Sequence, residues 1–130
     1  MAYAQHTSVP VKQSKGDIEA VLGKYGADKF GMTIEPGRAV LMFQFKNRTA
    51  RFTLPLPEGT GPKIEQLHRQ RWRALLLVIK AKLESVESRI ETFDQAFLAH
   101  LVVDDGTTVY DKIKGDLPAL PPPSKVRERA

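Results

Sequence analysis

The sequence predicts an α+β domain in which a three-stranded antiparallel meander packs on a long amphipathic helix. Apolar residues alternate in three successive runs between positions 30 and 54, and a turn signal separates each run from the next. A long helical stripe of apolar residues follows from Trp72 to Ile90, and a shorter stripe precedes the strands. Since the chain has 130 residues and 42% of them are hydrophobic, one domain with its own core is expected.

A short helix is predicted at the start of the domain. Ser14, with Asp17 three residues later, matches a capping box, and Gly26 suits the left-handed position that ends a helix. One apolar stripe lies between these signals, formed by Ile18, Val21, Leu22 and Tyr25. Residues 1–13 are polar and without periodicity, so they are predicted to be a flexible arm.

The three strands are predicted to form two tight hairpins. Pro36-Gly37 supplies the first turn, and Asn47-Arg48 supplies the second because asparagine tolerates positive φ. The resulting register is given by the pairs Ile34–Ala39, Met32–Leu41, Phe30–Phe43, Phe45–Ala50, Phe43–Phe52 and Leu41–Leu54. All of these side chains fall on one face, and a slip of one residue would expose them together.

A long helix is predicted from Ile64 to Arg89, with one stripe that covers the apolar face of the sheet. That stripe consists of Trp72, Leu75, Ile79, Leu83, Val86 and Ile90. Residues 74–81 are apolar nearly all round the helix, except for Lys80. This predicts burial on a second side as well, either by the C-terminal segment or by another subunit.

A short helix and a small hairpin are predicted to complete the domain. Thr92 and Gln95 form a second capping box, ahead of a helix that carries Phe93, Phe97 and Leu98. Residues 100–103 are predicted to form a strand, residues 104–106 a turn, and residues 107–110 a return strand or the start of a helix. The domain is thus expected to span residues 14–116. Residues 117–130 are proline-rich and are predicted to form an extended tail.

The charge of the chain is polarised along its length. Residues 30–82 contain ten lysine and arginine residues against three acidic residues, a local charge of +7. Residues 83–116 contain three against eight, a local charge of −5. This polarity predicts either an anionic partner for the first part, or self-association through opposite patches, or no more than an uneven solvated surface.

Basic side chains on two predicted surfaces are the candidate ligands of nucleic-acid phosphates. They are Arg38, Lys46, Arg48 and Arg51 on the outer face of the meander, and Arg69, Arg71 and Arg73 on the long helix. Val40 and Met42 share the outer face and suit contact with bases or with a partner protein. An ordinary solvated face explains the same charges, and Trp72 fits the core better than a base-stacking position.

No catalytic residues, metal site or cofactor are predicted. Six acidic residues are candidates for a magnesium nuclease centre, but their spacing matches no recognised pattern. They are Glu91, Asp94, Asp104, Asp105, Asp111 and Asp116. The three histidines are far apart in the sequence, and there is no cysteine. No apolar run approaches the ~18 residues that a membrane span needs, and no signal peptide is recognised, so a cytoplasmic protein is expected.

Three stretches of the chain resemble a family of small, essentially uncharacterised proteins of tailed phages and prophages. They are SKGDIEAVLGKYGADKF (residues 14–30), QRWRALLLVIKAKLE (70–84) and TFDQAFLAHLVVDDGTTV (92–109). The resemblance covers roughly residues 14–113, and Asn47-Arg48 departs from it where Asn-Gly is expected. It implies a protein of the host-cell cytoplasm that acts in phage DNA replication or recombination, or on a host factor.

The leading hypothesis from the sequence is a non-enzymatic accessory protein that binds nucleic acid, with single strands favoured. The alternative is a protein-interaction module, an inhibitor or adaptor acting on a host or phage enzyme. A metal-dependent nuclease ranks third. The charge polarity and the apolar helix segment also predict homo-oligomerisation, and no membrane association is expected.

Overall fold

The computed structural model describes residue 4 and residues 6–119. The helices and strands are α1 (Val11–Lys24), β1 (Asp28–Glu35), β2 (Arg38–Phe45), β3 (Arg48–Pro55), α2 (Pro62–Glu87), α3 (Phe93–Phe97) and α4 (Val109–Ile113), with 3-10 turns at Leu98–His100 and Lys114–Asp116. The strands form one antiparallel sheet in the order β1-β2-β3. The predicted α+β class and the order of its elements are therefore confirmed.

The N-cap residue of helix α1 is Pro10, four residues before the predicted N-cap Ser14, so the capping box proposed at Ser14 is wrong. Pro10 precedes the helix with extended backbone angles, and no side chain caps the first turn. Ser14 is buried inside that turn, and its hydroxyl has no hydrogen-bond partner among the described residues. The boundary predicted between residues 13 and 14 thus falls within α1. The end of the helix is confirmed, since Gly26 follows it with φ +94°.

Helices α1 and α2 run in the same direction and cover the same face of the sheet. The side chain of Gln66 donates to the carbonyl oxygen of Thr7 at 2.9 Å, and Arg73 pairs with Asp17 at 2.9 Å. Residues later in α1 therefore contact residues later in α2, as in a parallel pair of helices. The buried side chains of α1, α2 and the inner face of the sheet form one apolar core.

The first hairpin follows the predicted register up to a β-bulge. Ile34 pairs with Ala39, and Met32 with Leu41, as predicted. The predicted pair of Phe30 with Phe43 is wrong, because the pairing shifts between Asp28 and Gly31. Lys29, within this shift, adopts a left-handed φ of +50°, and one extra residue is accommodated on β1.

The second hairpin has a turn one residue earlier than predicted. Phe45 pairs with Arg48, so Lys46 and Asn47 form the loop, and Lys46 takes the positive φ of +56°. Every pair of this hairpin is consequently shifted by two residues from the prediction. Because side chains alternate with a period of two, the shift leaves the same side chains on the inner face.

Helix α2 places its central stripe in the core, as the sequence predicts. Trp72 is 1% exposed and Ile79 is fully buried. The stripe ends earlier than predicted, because the helix stops at Glu87 and Arg89 adopts a left-handed φ of +61°. Ile90 is consequently 76% exposed and does not belong to the core.

The second buried side that was predicted for α2 is present only in part. Leu76 is 2% exposed and lies within the core of the same chain. Val78 remains 40% exposed. The single chain therefore accounts for the burial of Leu76 without a second subunit.

Helix α3 closes one end of the core with aromatic rings. The capping box is confirmed, since Thr92 accepts from the Gln95 backbone N–H at 3.1 Å and the Gln95 side chain accepts from the Thr92 N–H at 2.8 Å. The ring of Phe97 is fully buried and packs edge-on against Phe43 and Phe52, with centroids 5.9 and 6.2 Å away. The start of the C-terminal segment is thereby held against the sheet.

The predicted C-terminal hairpin is present in a reduced form along the free edge of β3. Leu101 bridges to Ala50, and Val102 bridges to Thr108. Residues 104–106 form the predicted turn, and Gly106 has φ +86°. Of the two alternatives for residues 107–110, the start of a helix is correct, because Thr108 caps α4. Residues 120–130 of the predicted tail lie outside the described residues.

No helix within the described part of the chain is long and apolar enough to cross a membrane.

Two serine and threonine positions give a paired test of the helix starts. Thr92→Ala should lower the free energy of unfolding by about 1 kcal/mol, because it removes the hydroxyl that caps α3. Ser14→Ala should leave that free energy unchanged or raise it, since a buried hydroxyl without a partner is unfavourable. Urea unfolding followed by circular dichroism measures both. Equal losses in the two variants would contradict this description of α1.

Candidate functional site

Two of the four strand residues predicted on the outer face of the sheet are not there. Arg38 and Arg51 do lie on that face, where they alternate with the buried Ala39 and Ala50. Lys46 occupies the hairpin loop instead. Arg48 belongs to the inner-face side, because it is two residues from Ala50 on β3. Its misplacement follows from the predicted turn, which the structure places one residue earlier.

Both arginines of the outer face are held by groups of the same chain. The Nε of Arg38 lies 2.8 Å from the carboxylate of Glu35 across the first hairpin. The guanidinium of Arg51 donates to the carbonyl oxygen of Gly106 at 2.7 Å and lies 3.6 Å from the carboxylate of Asp111. The outer face therefore carries less uncompensated positive charge than its sequence suggests.

Arg48 forms a two-point ion pair with Asp94 at the start of α3. Its Nε and Nη2 atoms donate to the two carboxylate oxygens at 2.8 and 2.9 Å. This hydrogen bonding lowers the pKa of Asp94 and raises the pKa of Arg48, so both groups stay charged. The planar fork matches the carboxylate and fixes the second hairpin relative to α3.

The three helix arginines point to different neighbours. Arg73 pairs with Asp17 of α1, whereas Arg71 donates to the carbonyl oxygen of Pro55 at the end of β3, at 3.1 Å. Arg69 donates from Nε to the side-chain oxygen of Gln66 at 3.1 Å. The seven predicted basic residues consequently do not form one continuous track.

Two ion pairs join the basic part of the sequence to its acidic part. Arg48 and Arg51, from the basic part, pair with Asp94 and Asp111 from the acidic part. Lys82 also donates to the carbonyl oxygen of Ala96 at 3.0 Å. Part of the opposite charge of the two parts is therefore paired within the chain.

A concave surface lies between β3, the C-terminal hairpin and α4, and we call it the apolar groove. It encloses about 540 Å³ and is lined by Arg48, Asp94, Leu98, Leu101, Val102, Val103, Asp104, Asp105, Val109 and Lys112. Five of these side chains are aliphatic, and we call them the aliphatic floor of the groove. Leu98 is 51% exposed there. Volume and lining are within the range of binding sites in proteins.

Charged pairs form the rim of the apolar groove. Arg48 and Asp94 stand on one side, and Lys112 lies 2.9 Å from Asp105 on the other. Hydrogen bonds from Thr107 and the contact with Lys112 hold the pKa of Asp105 well below its ordinary value. Asp104 makes no hydrogen bond or ion pair within the part of the chain that the structure describes.

A second, polar cavity of about 430 Å³ lies at the β3 edge, on the other side of α4. Its lining consists of Arg51, Thr53, Ala99, His100, Thr108, Tyr110 and Asp111. The ring of His100 stacks on Phe52, with centroids 3.8 Å apart. Burial, and then the nearby charge of Lys82, lowers the pKa of His100, although a backbone hydrogen bond with Arg51 acts in the opposite sense.

Apolar side chains also project from α4 and the turn that follows it. Tyr110 and Ile113 belong to α4, Leu117 follows the 3-10 turn, and the three side chains are 51%, 44% and 54% exposed. We call them the C-terminal stripe. Val109 and Lys112 of α4 face the apolar groove instead. One short helix thus contributes to two apolar surfaces.

The carboxylates considered for a metal centre are dispersed among different partners. Asp94 pairs with Arg48, and Asp105 pairs with Lys112. No three histidine, aspartate or glutamate side chains converge as potential metal ligands within residues 6–119.

Sequence reasoning missed most residues of these two concavities. Leu98 was assigned only to a helix, and His100 was excluded as a site residue because no other histidine lies nearby in the sequence. Both line a concavity because the hairpin docks on the edge of β3. The one available signal was the excess of aliphatic residues in positions 98–103 beside charged ones.

Comparisons with protein-family models, curated proteins and solved structures found no match to this chain. The resemblance to phage proteins therefore stays a prediction from the residues quoted above.

The lowered pKa of His100 predicts a specific pH dependence of stability. His100 takes up a proton less readily in the folded state than in the unfolded state, where its pKa is near 6.5. The contribution of His100 to the free energy of unfolding is therefore fully present above pH 6.5. It is lost as the pH falls through the lowered pKa of His100 in the folded state. Thermal unfolding between about pH 7.5 and pH 5 should show a smaller decrease in midpoint for His100→Gln than for the wild type.

The depressed pKa values of Asp94, Asp105 and Asp111 do not interfere, because their contributions are lost only below their ordinary value of 3.8. An unchanged slope in His100→Gln would show that His100 is not the titrating group.

Proposed function

We propose that the chain is a non-enzymatic protein-interaction module that binds a partner protein through the apolar groove and the C-terminal stripe. The concentration of exposed apolar side chains around α4 carries this proposal. Eight large apolar residues are exposed in the described part of the chain, and half of them lie between residues 98 and 117. They are Leu98, Tyr110, Ile113 and Leu117.

Exposed apolar side chains indicate a binding surface when they are clustered, but not when they are isolated. Single exposed apolar residues are common on soluble proteins, whereas contiguous patches mark interaction sites. The segment is also held in place, since Thr108 caps α4 and Leu101 bridges to β3. A fixed apolar surface binds a partner without a large ordering cost.

The rim of the groove supports the same proposal. Protein interfaces commonly have an apolar centre with charged and polar groups at the periphery. Here the pairs Arg48–Asp94 and Lys112–Asp105 stand beside an aliphatic floor. In the phage setting that the resemblance implies, the partner would be a host or phage enzyme, and the chain its inhibitor or adaptor.

Capture experiments with matched variants test this function. Purified chain should retain a partner from a nuclease-treated bacterial lysate, and the partner would then be identified and its affinity measured with purified components. Leu98→Lys and Ile113→Lys should each weaken that affinity at least about tenfold, or 1.4 kcal/mol, because each places a charge in the apolar contact.

Ile90→Lys is the matched control, since Ile90 is 76% exposed and lies outside this surface. It should bind as the wild type does. Equal affinity of all three variants would refute the assigned surface. Loss of the captured partner on nuclease treatment would show that nucleic acid had bridged the two proteins.

A second candidate function is nucleic-acid binding on the outer face of the sheet. This face is accessible, because Met42 is 36% exposed and Thr33 and Thr53 are also exposed. Arg38 and Arg51 lie on it with exposed or partly exposed ion pairs, and surface pairs are worth only about 0–1 kcal/mol and can be displaced by phosphate. A flexible single strand, as formed in replication and recombination, would suit such a small face.

Salt titration distinguishes this second candidate. Binding of single-stranded DNA should weaken in Arg38→Ala plus Arg51→Ala, and the slope of log affinity against log salt should fall by roughly 1.4, which is two single-strand phosphate contacts. Lys63→Ala plus Lys80→Ala on α2 removes the same charge and should keep the slope. Absence of binding at low salt would exclude the candidate.

A further inference from the structure

We propose that the apolar groove is a docking site for residues 120–130 of the same chain, with Leu120 and the following prolines on its aliphatic floor. This inference rests on the proposed function, because it concerns the same groove. A partner protein would reach the groove by displacing this segment.

The sequence of the segment is complementary to the groove in both apolar and charged character. Residues 120–123 are one leucine and three prolines, and residues 125–129 then contain three basic residues against one acidic residue. The groove likewise combines an aliphatic floor with a charged rim. Apolar residues followed directly by basic ones can therefore fill the floor and meet the rim together.

Asp104 gives the rim a charge that the rest of the described chain leaves uncompensated. The groove is lined by three carboxylates and two basic groups. Arg48 and Lys112 pair with Asp94 and Asp105, so each basic group already has its carboxylate. Asp104 remains as the acceptor for a cation, and Lys125, Arg127 and Arg129 are the basic residues that follow the apolar part of the segment.

The segment begins within reach of the groove. Lys112 lines the groove, and Ala119 follows seven residues later, so the two are at most about 25 Å apart even if the chain between them were fully extended. Residues 120–130 in a polyproline conformation would span a further ~34 Å. The connection therefore allows the segment to turn back along α4 and enter the groove.

Docking within one chain also needs little intrinsic affinity. A tethered segment is present at an effective concentration in the millimolar range, and prolines reduce the conformational entropy lost on binding. The contact of a few aliphatic groups and one ion pair is sufficient under those conditions. A second copy, or an unrelated protein, would not have this advantage.

Paramagnetic relaxation in the 130-residue chain tests the proposal. The protein has no cysteine, so Ser124→Cys provides a single site for a nitroxide spin label. The amide signals of Leu98, Val102 and Val103 should lose intensity selectively, compared with the same sample after reduction of the nitroxide. Broadening confined to residues outside the groove, or spread evenly, would overturn the proposal.

Matched variants of the labelled chain separate specific docking from general proximity. Leu98→Lys and Asp104→Lys should each restore the intensity of the Val102 and Val103 signals, whereas Ile90→Lys should not. If both groove variants kept the broadening, the apolar floor and Asp104 would not be the docking groups.

A mixed sample distinguishes the source of the segment. Isotope-labelled chain without the nitroxide is combined with unlabelled chain that carries it, and the groove signals should then keep their intensity. Broadening in this mixture would mean that the segment comes from a second copy, which contradicts docking within one chain. The proposed function is tested independently, because partner binding that depends on Leu98 would stand even if the segment never docks.

Discussion

A three-stranded sheet is stable only if its apolar face is covered, and in this protein α1 and α2 cover that face together. Trp72 and Ile79 of α2 are buried against the same core as Ile18 of α1 and Phe43 of the sheet. The area that these side chains remove from water is the main favourable term available to a domain of this size. The positions of both long helices relative to the sheet therefore depend on this inner face.

The aromatic end of the core determines the position of the C-terminal segment. Phe97 is fully buried against Phe43 and Phe52, so the residues that follow it run beside β3. Leu101 then bridges to Ala50 and covers part of the edge of that strand, which would otherwise present unpaired backbone groups. The same placement creates the apolar groove on one side of α4 and the polar cavity on the other. The candidate site is thus a consequence of core packing.

Ion pairs within the chain weaken the prediction of an anionic partner from the charge pattern. The basic and acidic parts of the sequence meet at Arg48–Asp94 and Arg51–Asp111, so two of the ten basic residues of the first part are paired with carboxylates of the second. Exposed pairs of this kind contribute little to stability, but they orient the segments that carry them. These pairs favour protein binding at the apolar groove over phosphate binding by unpaired arginines. Asp104 is the exception on the rim of that groove.

The sequence by itself determined the inner face, the core position of Trp72, the cap at Thr92 and the turn at residues 104–106, because periodicity, capping and turn preference act over a few residues. The predicted second turn was displaced by one residue, since a register shift of two leaves the inner-face pattern unchanged and cannot be detected from alternation. Only the tertiary structure decided that Arg48 faces Asp94, forty-six residues away, and that Leu98 and Val109 share a groove. Such contacts depend on how the C-terminal segment docks on β3, and no local pattern encodes that geometry.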